Sequence, residues 1–130
     1  MILVDSSVWV DYFNGLITPQ TNKLDAILGT ELLAIGDLIL TQVLQGFADE
    51  REFERARKLL TSLEVVDLGG KEIAIQAARH FRVLRLAGVT VRKTIDSIIA
   101  TRSIESGFEL LHSDKDFHSF TKFLGLRSVM

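Results

Sequence analysis

The chain has no cysteine among its 130 residues. That excludes disulfide frameworks, thiol nucleophiles, zinc ribbons and iron–sulfur centres together. Proline occurs once and glycine nine times, while apolar residues make up 47% and charged residues 25%. Collagen-like, low-complexity and disordered chains have other proportions. No apolar run approaches the ~18 residues that a membrane helix needs, and Asp5 interrupts the first run almost at once. Neither a spanning helix nor a secretory leader is expected, which points to a soluble, cytoplasmic protein with no membrane partner. Charge of one sign is also missing: 15 basic residues face 17 acidic ones, a net of −2. Setting aside Asp5, Asp96, Asp114 and Asp116 as a shared cation site leaves 15 basic residues against 13 acidic ones. Charge therefore neither supports nor forbids a nucleic-acid partner.

At ~100–200 residues per domain, residues 1–130 make a single domain. A chain of this length buries roughly two-thirds of its unfolded surface and needs no covalent staple. Met1-Ile2-Leu3-Val4 reads as a fully buried strand ending at Asp5. Ser6-Ser7 is placed to cap a helix running through Trp9 to Phe13, and Thr18-Pro19 opens a second helix. Glu31 to Ile35 reads as a strand. Gly36-Asp37 then begins a helical segment that buries Leu40, Val43, Leu44 and Phe47. Asp49 with Glu52 three residues on is a capping pattern for a helix with Phe53, Ala56 and Leu60 inward. Leu63 to Leu68 reads as a strand and Lys71 to Ala87 as the longest helix. Thr94 to Ser106 is a helix with Ile95, Ile98 and Ile99 inward and Gly107 at its end. A strand over Phe108 to Leu111, a short helix near Phe117 to Phe123 and a last strand near Leu126 to Val129 complete the chain. Short apolar strands alternating with longer helices predict a three-layer α/β/α domain with a mainly parallel sheet.

Asp5 follows the first strand directly, and Asp114 lies three residues after the late strand ending at Leu111. Open parallel sheets bind ligands at the carboxyl ends of their strands, so these two acids can meet although they are far apart in sequence. Asp96 falls in the first turn of its helix, and Asp116 stands two residues beyond Asp114. Carboxylates gathered without a dedicated basic partner repel one another unless a cation sits between them. With no cysteine and no histidine pair at ligand spacing, the fitting ion is Mg²⁺ or Mn²⁺. Such ions activate water and stabilise phosphoryl transition states. Taken singly, each aspartate also suits the plain role of a cap or turn residue.

Met1-Ile-Leu-Val-Asp-Ser-Ser-Val-Trp-Val-Asp-Tyr-Phe13, Leu40-Thr-Gln-Val-Leu-Gln-Gly-Phe47, Thr94-Ile-Asp-Ser-Ile-Ile-Ala100 and Leu110-Leu-His-Ser-Asp-Lys-Asp-Phe117 are four stretches of note. Together they resemble the PIN domain, and more narrowly the VapC toxins of VapBC toxin–antitoxin systems. The resemblance spans the whole chain, in order. It implies an α/β/α fold with about five parallel strands, a homodimer, and Mg²⁺-dependent cleavage of RNA of the tRNA or ribosomal class. A VapB-like antitoxin would wrap the chain and neutralise it. The implied metal ligands are Asp5, Asp96 and Asp114 with the accessory Asp116, and Ser7 is a supporting hydroxyl. Position 42 departs from the pattern: Gln42 stands where the family carries Glu, and neither Asp37 nor Glu50 has the spacing to replace it. An inactive or weakened ribonuclease is the consequence. The alternative is a catalytically silent PIN domain that still binds RNA or antitoxin.

Beside these, Ser7 and Ser113 suit the orientation of carboxylates or waters, and equally simple capping. Arg82, Arg85, Arg92 and Lys93 form the densest basic stretch. It reads either as a solvated face or as phosphate contacts beside the acids. His80, His112 and His118 share no spacing and read as surface or satisfied histidines, with His112 a candidate for the rim of the site. Trp9, Tyr12 and Phe13 read as packing residues that also suit an antitoxin groove with the Asp49–Leu60 helix. A phospho-receiver would need an acidic pair that Asp5-Ser6 does not supply. A haloacid-dehalogenase-like phosphatase would need a second Asp where Ser7 stands.

Overall fold

Ile2, Leu3 and Val4 are 7%, 0% and 0% exposed, a burial that follows from the position of their strand. The computed structural model describes residues 1–130. Its five strands are β1 (Ile2–Val4), β2 (Leu33–Gly36), β3 (Glu64–Val66), β4 (Glu109–Leu111) and β5 (Arg127–Ser128). They form one sheet in the order β3-β2-β1-β4-β5, and every neighbouring pair is parallel. The expected mainly parallel sheet is thus wholly parallel. β1 lies at its centre, covered on both faces, and so tolerates no polar residue before Asp5. The edges carry Glu64 with a half-exposed Val65 on one side and Arg127 on the other. Short, charged edges of this kind resist pairing with another sheet.

Helices α1 (Ser6–Phe13) and α2 (Pro19–Ile27) join β1 to β2, and α3 (Asp37–Leu44) and α4 (Glu50–Thr61) join β2 to β3. Helices α5 (Lys71–Leu86) and α6 (Thr94–Ser106) lead back to β4; a 3₁₀ turn (Lys115–Phe117) and α7 (His118–Leu124) lead on to β5. The chain thus steps outward from β1 through β2 to β3, then returns to β4 on the other side of β1. With right-handed crossovers, that reversal sends the later helices to the opposite face. The packing agrees: α1 lies against α2 and α3, and α3 against α4, whereas α5 lies against α6 and α7. The result is the expected three-layer α/β/α domain. Its switch point falls between β1 and β4, where a crevice opens outside the strand ends.

Local chemistry sets the helix starts. The cap of α1 is Asp5 and not the expected serines: its side chain accepts from the Ser7 N–H, so the serines enter the first turn. Thr18 and Thr21 form a reciprocal capping box ahead of Pro19. Asp49 caps α4 by accepting from the Glu52 N–H at 3.1 Å. At the β2–α3 junction a Cβ on Gly36 would overlap the Leu68 side chain, so only glycine fits. Beside it Asp37 Oδ1 accepts from the Leu38 and Leu68 N–H groups at 2.8 and 3.1 Å. Asp37 is therefore a structural clasp.

Two burial patterns differ from the periodicity. In α3 the deepest residues are Ile39 and Val43, while Leu40 and Leu44, and Phe47 beyond the helix, are half-buried. In α6, Asp96, Ser97, Thr101 and Ser103 are buried along with Ile99 and Ala100, while Ile95 and Ile98 are half-buried. Helix α6 touches α5, β4 and the 3₁₀ turn, so it has no solvent face wide enough for its polar residues. Thr101 pairs with His80 Nδ1 at 2.9 Å, whose Nε2 meets Gln76 at 3.2 Å, and Ser103 donates to the Ile99 carbonyl, while Ser97 Oγ and Asp96 Oδ2 have no hydrogen-bond partner. Burial keeps that imidazole below its usual pKa. His80 is a satisfied core residue.

Candidate functional site

At the switch point the ends of β1 and β4 are stitched together before any side chain is considered: the Asp5 N–H donates to the Leu111 carbonyl at 2.9 Å. Asp5 Oδ2 then accepts from the Ser7 hydroxyl at 2.6 Å and from the Ser7 N–H at 3.1 Å. Ser7 Oγ in turn accepts from the Ser113 N–H at 3.3 Å. This chain of bonds crosses 106 sequence positions and fixes one carboxylate at the head of α1. Ser113 contributes through its backbone.

The second wall comes from α6 and the loop after β4. Asp96 lies in the first turn of α6, buried, and its Oδ2 has no hydrogen-bond partner. Burial pushes its carboxyl up to about 6, against the pull of Lys93 and with help from Asp5, Asp114 and Asp116. Desolvation therefore outweighs the favourable helix N-terminus here. Asp114 opens the 3₁₀ turn, with Oδ1 accepting from the Asp116 N–H at 2.9 Å. Burial raises its pKa, but that N–H and the Lys93 ammonium together hold it below the ordinary value. Carboxylate oxygens of Asp96, Asp114 and Asp116 lie within 4.8 Å of one another. Asp5 is outside that group of three. It faces Asp96 and Asp114 across a pocket of about 340 Å³, lined also by Ser6, Ser7, Val10, Asp11, Gln42, Lys93 and Ser113.

The carboxylates do have basic partners, contrary to the expectation. Lys93 Nζ is 3.3 Å from Asp114 Oδ2 and 3.7 Å from Asp96 Oδ2, and Arg92 Nη2 is 2.7 Å from Asp116 Oδ1. Both residues lie in the extended segment that enters α6, which brings them to the strand ends. Arg82 and Arg85 are elsewhere, exposed on α5, with the Arg85 guanidinium over the Phe81 ring. The basic stretch that looks continuous in sequence is thus divided in space.

Gln42 projects from α3 into the same pocket, and its Oε1 is buried without a partner. It also lines a second, larger groove of about 710 Å³ between α1, α3 and α4. Phe13, Phe47, Ala56 and Leu59 supply apolar wall there, with Glu52 and Arg55 at the edge. Trp9 and Tyr12 do not line it. Trp9 is fully buried, stacked on Phe13 with ring centroids 5.9 Å apart, so the aromatic surface expected there comes from Phe13 and Phe47. His112 packs on Phe117 and meets Ser128 Oγ at 3.1 Å. It is a buried support behind the loop, held below its usual pKa by burial, and it does not line the pocket.

Sequence reasoning passed over Asp11. It lies one helical turn beyond Ser7 on α1, the i+4 spacing that places both on one face. That spacing was the available signal. With it, five aspartates surround the strand ends. Every donor is a hard oxygen, and Asp96 Oδ2 and Gln42 Oε1 are buried without a hydrogen-bond partner. That donor set fits a divalent ion such as Mg²⁺ or Mn²⁺.

The PIN domain family model matches residues 2–122. Among curated proteins, ribonuclease VapC11 of Mycobacterium tuberculosis is 28% identical over 131 residues, covering 99% of this chain and 98% of its own. Among solved structures, VapBC2 of Rickettsia felis, bound to a DNA fragment from its promoter, superposes with a TM-score of 0.73 at 18% identity. It covers 98% of this chain and 97% of its own. VapC20 of M. tuberculosis, described as a sarcin–ricin loop cleaving toxin, gives a TM-score of 0.68 at 16% identity, with 98% and 99% covered.

Proposed function

The chain belongs to the PIN-domain family, and from that membership we propose that it is a metal-dependent endoribonuclease, the toxin of a VapBC-type pair. The observation that carries the reading is the group formed by Asp96, Asp114 and Asp116, within 4.8 Å of one another at the sheet's switch point, with Asp96 Oδ2 buried and without a hydrogen-bond partner. Asp5, Asp96 and Asp114 would hold Mg²⁺ or Mn²⁺, with Asp116 as an accessory ligand. Such an ion supplies a water acidic enough to lose its proton near neutral pH, and positive charge beside a phosphodiester.

The chain's own groups do the rest. Ser7 and the Ser113 N–H hold the Asp5 carboxylate in one orientation, and preorganisation of that kind avoids reorganisation during the reaction. Lys93 and Arg92 at the mouth would take the phosphate oxygens of the RNA, whereas Arg82 and Arg85 would meet RNA only beyond the pocket. Gln42 has nearly the shape of Glu and still accepts or donates a hydrogen bond, but it carries no charge. This form is therefore a weakened enzyme. A silent binding module is the second reading, and Gln42 is what favours it.

The groove of about 710 Å³ is the proposed seat of a VapB-like antitoxin, because it shares Val10 and Gln42 with the acidic pocket. A segment lying in it can reach the carboxylates with one basic side chain. Pairing of two chains as a homodimer would cover exposed apolar side chains such as Ile75, Val83 and Leu86 of α5. No helix is long and apolar enough to cross a membrane, and cleavage of tRNA or ribosomal RNA would place the activity in the cytoplasm. The test is cleavage of a broad RNA panel by the purified chain and its Gln42→Glu variant, with Mg²⁺, with Mn²⁺ and with chelator. Metal-dependent cleavage lost in Asp5→Asn supports the toxin. Retained RNA or antitoxin binding without cleavage by either protein replaces it with the binding module.

A further inference from the structure

Lys93 has an unusual address for a residue assigned to RNA phosphates. Its ammonium lies among the carboxylates, 3.3 Å from Asp114 Oδ2 and 3.7 Å from Asp96 Oδ2. Both oxygens belong to residues of the tight acidic group. A divalent ion bound by those oxygens would stand ~2.1 Å from each. An ammonium in contact with the same two oxygens competes with such an ion for them, and two positive centres so close repel. Arg92 is not in this position, since its contact is with Asp116.

The tether is also suitable. Lys93 caps α6, three residues before Asp96, so its backbone is fixed beside the pocket. Its side chain is 56% exposed, with a flexible four-carbon stem that can swing outward. An ammonium is a compact point charge able to serve two carboxylates, which the planar fork of arginine does less well. Asp96 would otherwise be a buried anion with no counter-charge, a costly arrangement.

We propose that Lys93 is a tethered cation that alternates with the divalent ion: it sits between Asp96 and Asp114 in the metal-free protein and is expelled when the ion enters. The proposal rests on the metal-site reading above. Expulsion delivers the freed ammonium to the mouth of the pocket only once the ion is in place, so metal and RNA phosphate reinforce one another's binding. By linkage the reinforcement is equal in both directions.

Two measurements on the full chain test it. Amine acetylation read by peptide mass compares Lys93 with the exposed Lys58, with and without saturating Mn²⁺. Calorimetry compares Mn²⁺ affinity in the parent, Lys93→Gln and Lys93→Arg. Expulsion predicts severalfold faster acetylation of Lys93 with Mn²⁺ and no change at Lys58. It also predicts about tenfold tighter Mn²⁺ binding in Lys93→Gln and a smaller tightening in Lys93→Arg, whose charge remains but serves the two carboxylates less well. Mn²⁺ binding with unchanged Lys93 acetylation overturns the expulsion and leaves the metal site standing. Equal or weaker Mn²⁺ affinity in Lys93→Gln also overturns it. Absence of Mn²⁺ binding in all three proteins overturns the metal site itself, and the proposal with it.

Discussion

Asp5 and Asp96 are equally hidden from water, at 4% and 5% exposed, and they face one another across a single pocket. Each stands at a helix start, yet their surroundings are opposite. Asp5 is tied by the Ser7 hydroxyl and N–H, and through Ser7 to the loop after β4. Asp96 has an orphaned oxygen and a carboxyl pushed up to about 6 by burial. One wall of the pocket is held by its own hydrogen bonds. The other is complete only with a positive partner, and Lys93 at 3.7 Å fills that role incompletely. The difference teaches that burial alone does not mark a ligand. An oxygen with its bonds made, like Asp5 Oδ2, is held in one place, whereas one left without a hydrogen bond, like Asp96 Oδ2, still calls for positive charge.

The largest effect expected from this site lies at position 42, which both walls look onto. Returning Gln42 to Glu adds the missing charge without changing shape, and loss of such a preorganised group commonly costs ~10²–10³ in rate. RNA cleavage with Mg²⁺ should rise by about that factor in Gln42→Glu. It should vanish again when Asp5→Asn or Asp96→Asn is added, because both walls are needed for activity. Expression of the reverted form should arrest growth. Equal rates with Gln and Glu would place position 42 outside the chemistry.

The two walls separate when stability is measured without metal. In Asp96→Asn a neutral amide replaces a carboxylate whose folded-state pKa is about 6 against an ordinary value of 3.8. A raised pKa means that folding favours the proton, so the ionised form costs stability. That cost is absent below pH 3.8, where both states are protonated, and complete above pH 6. The variant should therefore melt ~3–5 °C higher than the parent at pH 8, a gain of about 1 kcal/mol, and equal it near pH 3.5. Ser7→Ala on the finished wall should do the reverse and cost ~1 kcal/mol at pH 8, because the loop after β4 loses its link to Asp5. Thermal melts of both variants are the check. A loss of stability in Asp96→Asn at pH 8 would make Asp96 a cap like Asp5.

Why this contrast was only half legible in the sequence follows from particular residues. The meeting of Asp5 with Asp114 was readable, because a buried run ending in an acid and a late strand leading to another converge at the carboxyl ends of a parallel sheet, whereas the order of the strands was not. The α/β/α layering followed from the alternation of strands and helices. The state of each acid was not readable. Whether Asp96 is satisfied depends on Lys93, Asp114 and Asp116 meeting in space, and no spacing rule states where a lysine stem folds. The Arg82–Lys93 stretch divides at the helix end that the sequence did show, but the direction in which the following segment carries Arg92 and Lys93 toward the pocket is set by tertiary packing. Trp9 packs as read but does not reach the groove, because aromatic content carries no label of depth, and Asp11 passed as an ordinary polar position of an amphipathic helix.

The walls should also differ in how protons compete with metal. Asp96 takes up a proton as pH falls through about 6, and a protonated carboxyl is a poor ligand. Mn²⁺ affinity should be nearly flat from pH 8 to 7, then fall by up to about tenfold per unit below 6. Titrations at pH 7.5, 6 and 5 measure it. In Asp96→Asn the affinity should be lower throughout and its fall below pH 6 should disappear. A parent profile flat to pH 5 would remove Asp96 from the ligands.

The smallest effect concerns Asp11, on the same helix as the finished wall. It lines the pocket but lies outside the group of Asp96, Asp114 and Asp116 and is partly exposed to solvent. A charge so placed acts on an ion through water, where two unit charges 4 Å apart are worth only ~1 kcal/mol and more distant ones less. Asp11→Asn should therefore weaken Mn²⁺ binding by about threefold or less, and salt should shrink the difference further because an exposed charge is screened. The substitution keeps the side chain's size and lies mid-helix, so the fold should be unaffected. The result bears on Gln42 as well. Position 42 and Asp11 line one pocket, and an acid on α1 can supply from that side the charge that α3 lacks. A loss of Mn²⁺ affinity beyond tenfold in Asp11→Asn, insensitive to salt, would mean that Asp11 reaches the ion directly. The natural partner of Gln42 would then be Asp11, and the gain from Gln42→Glu would be correspondingly small.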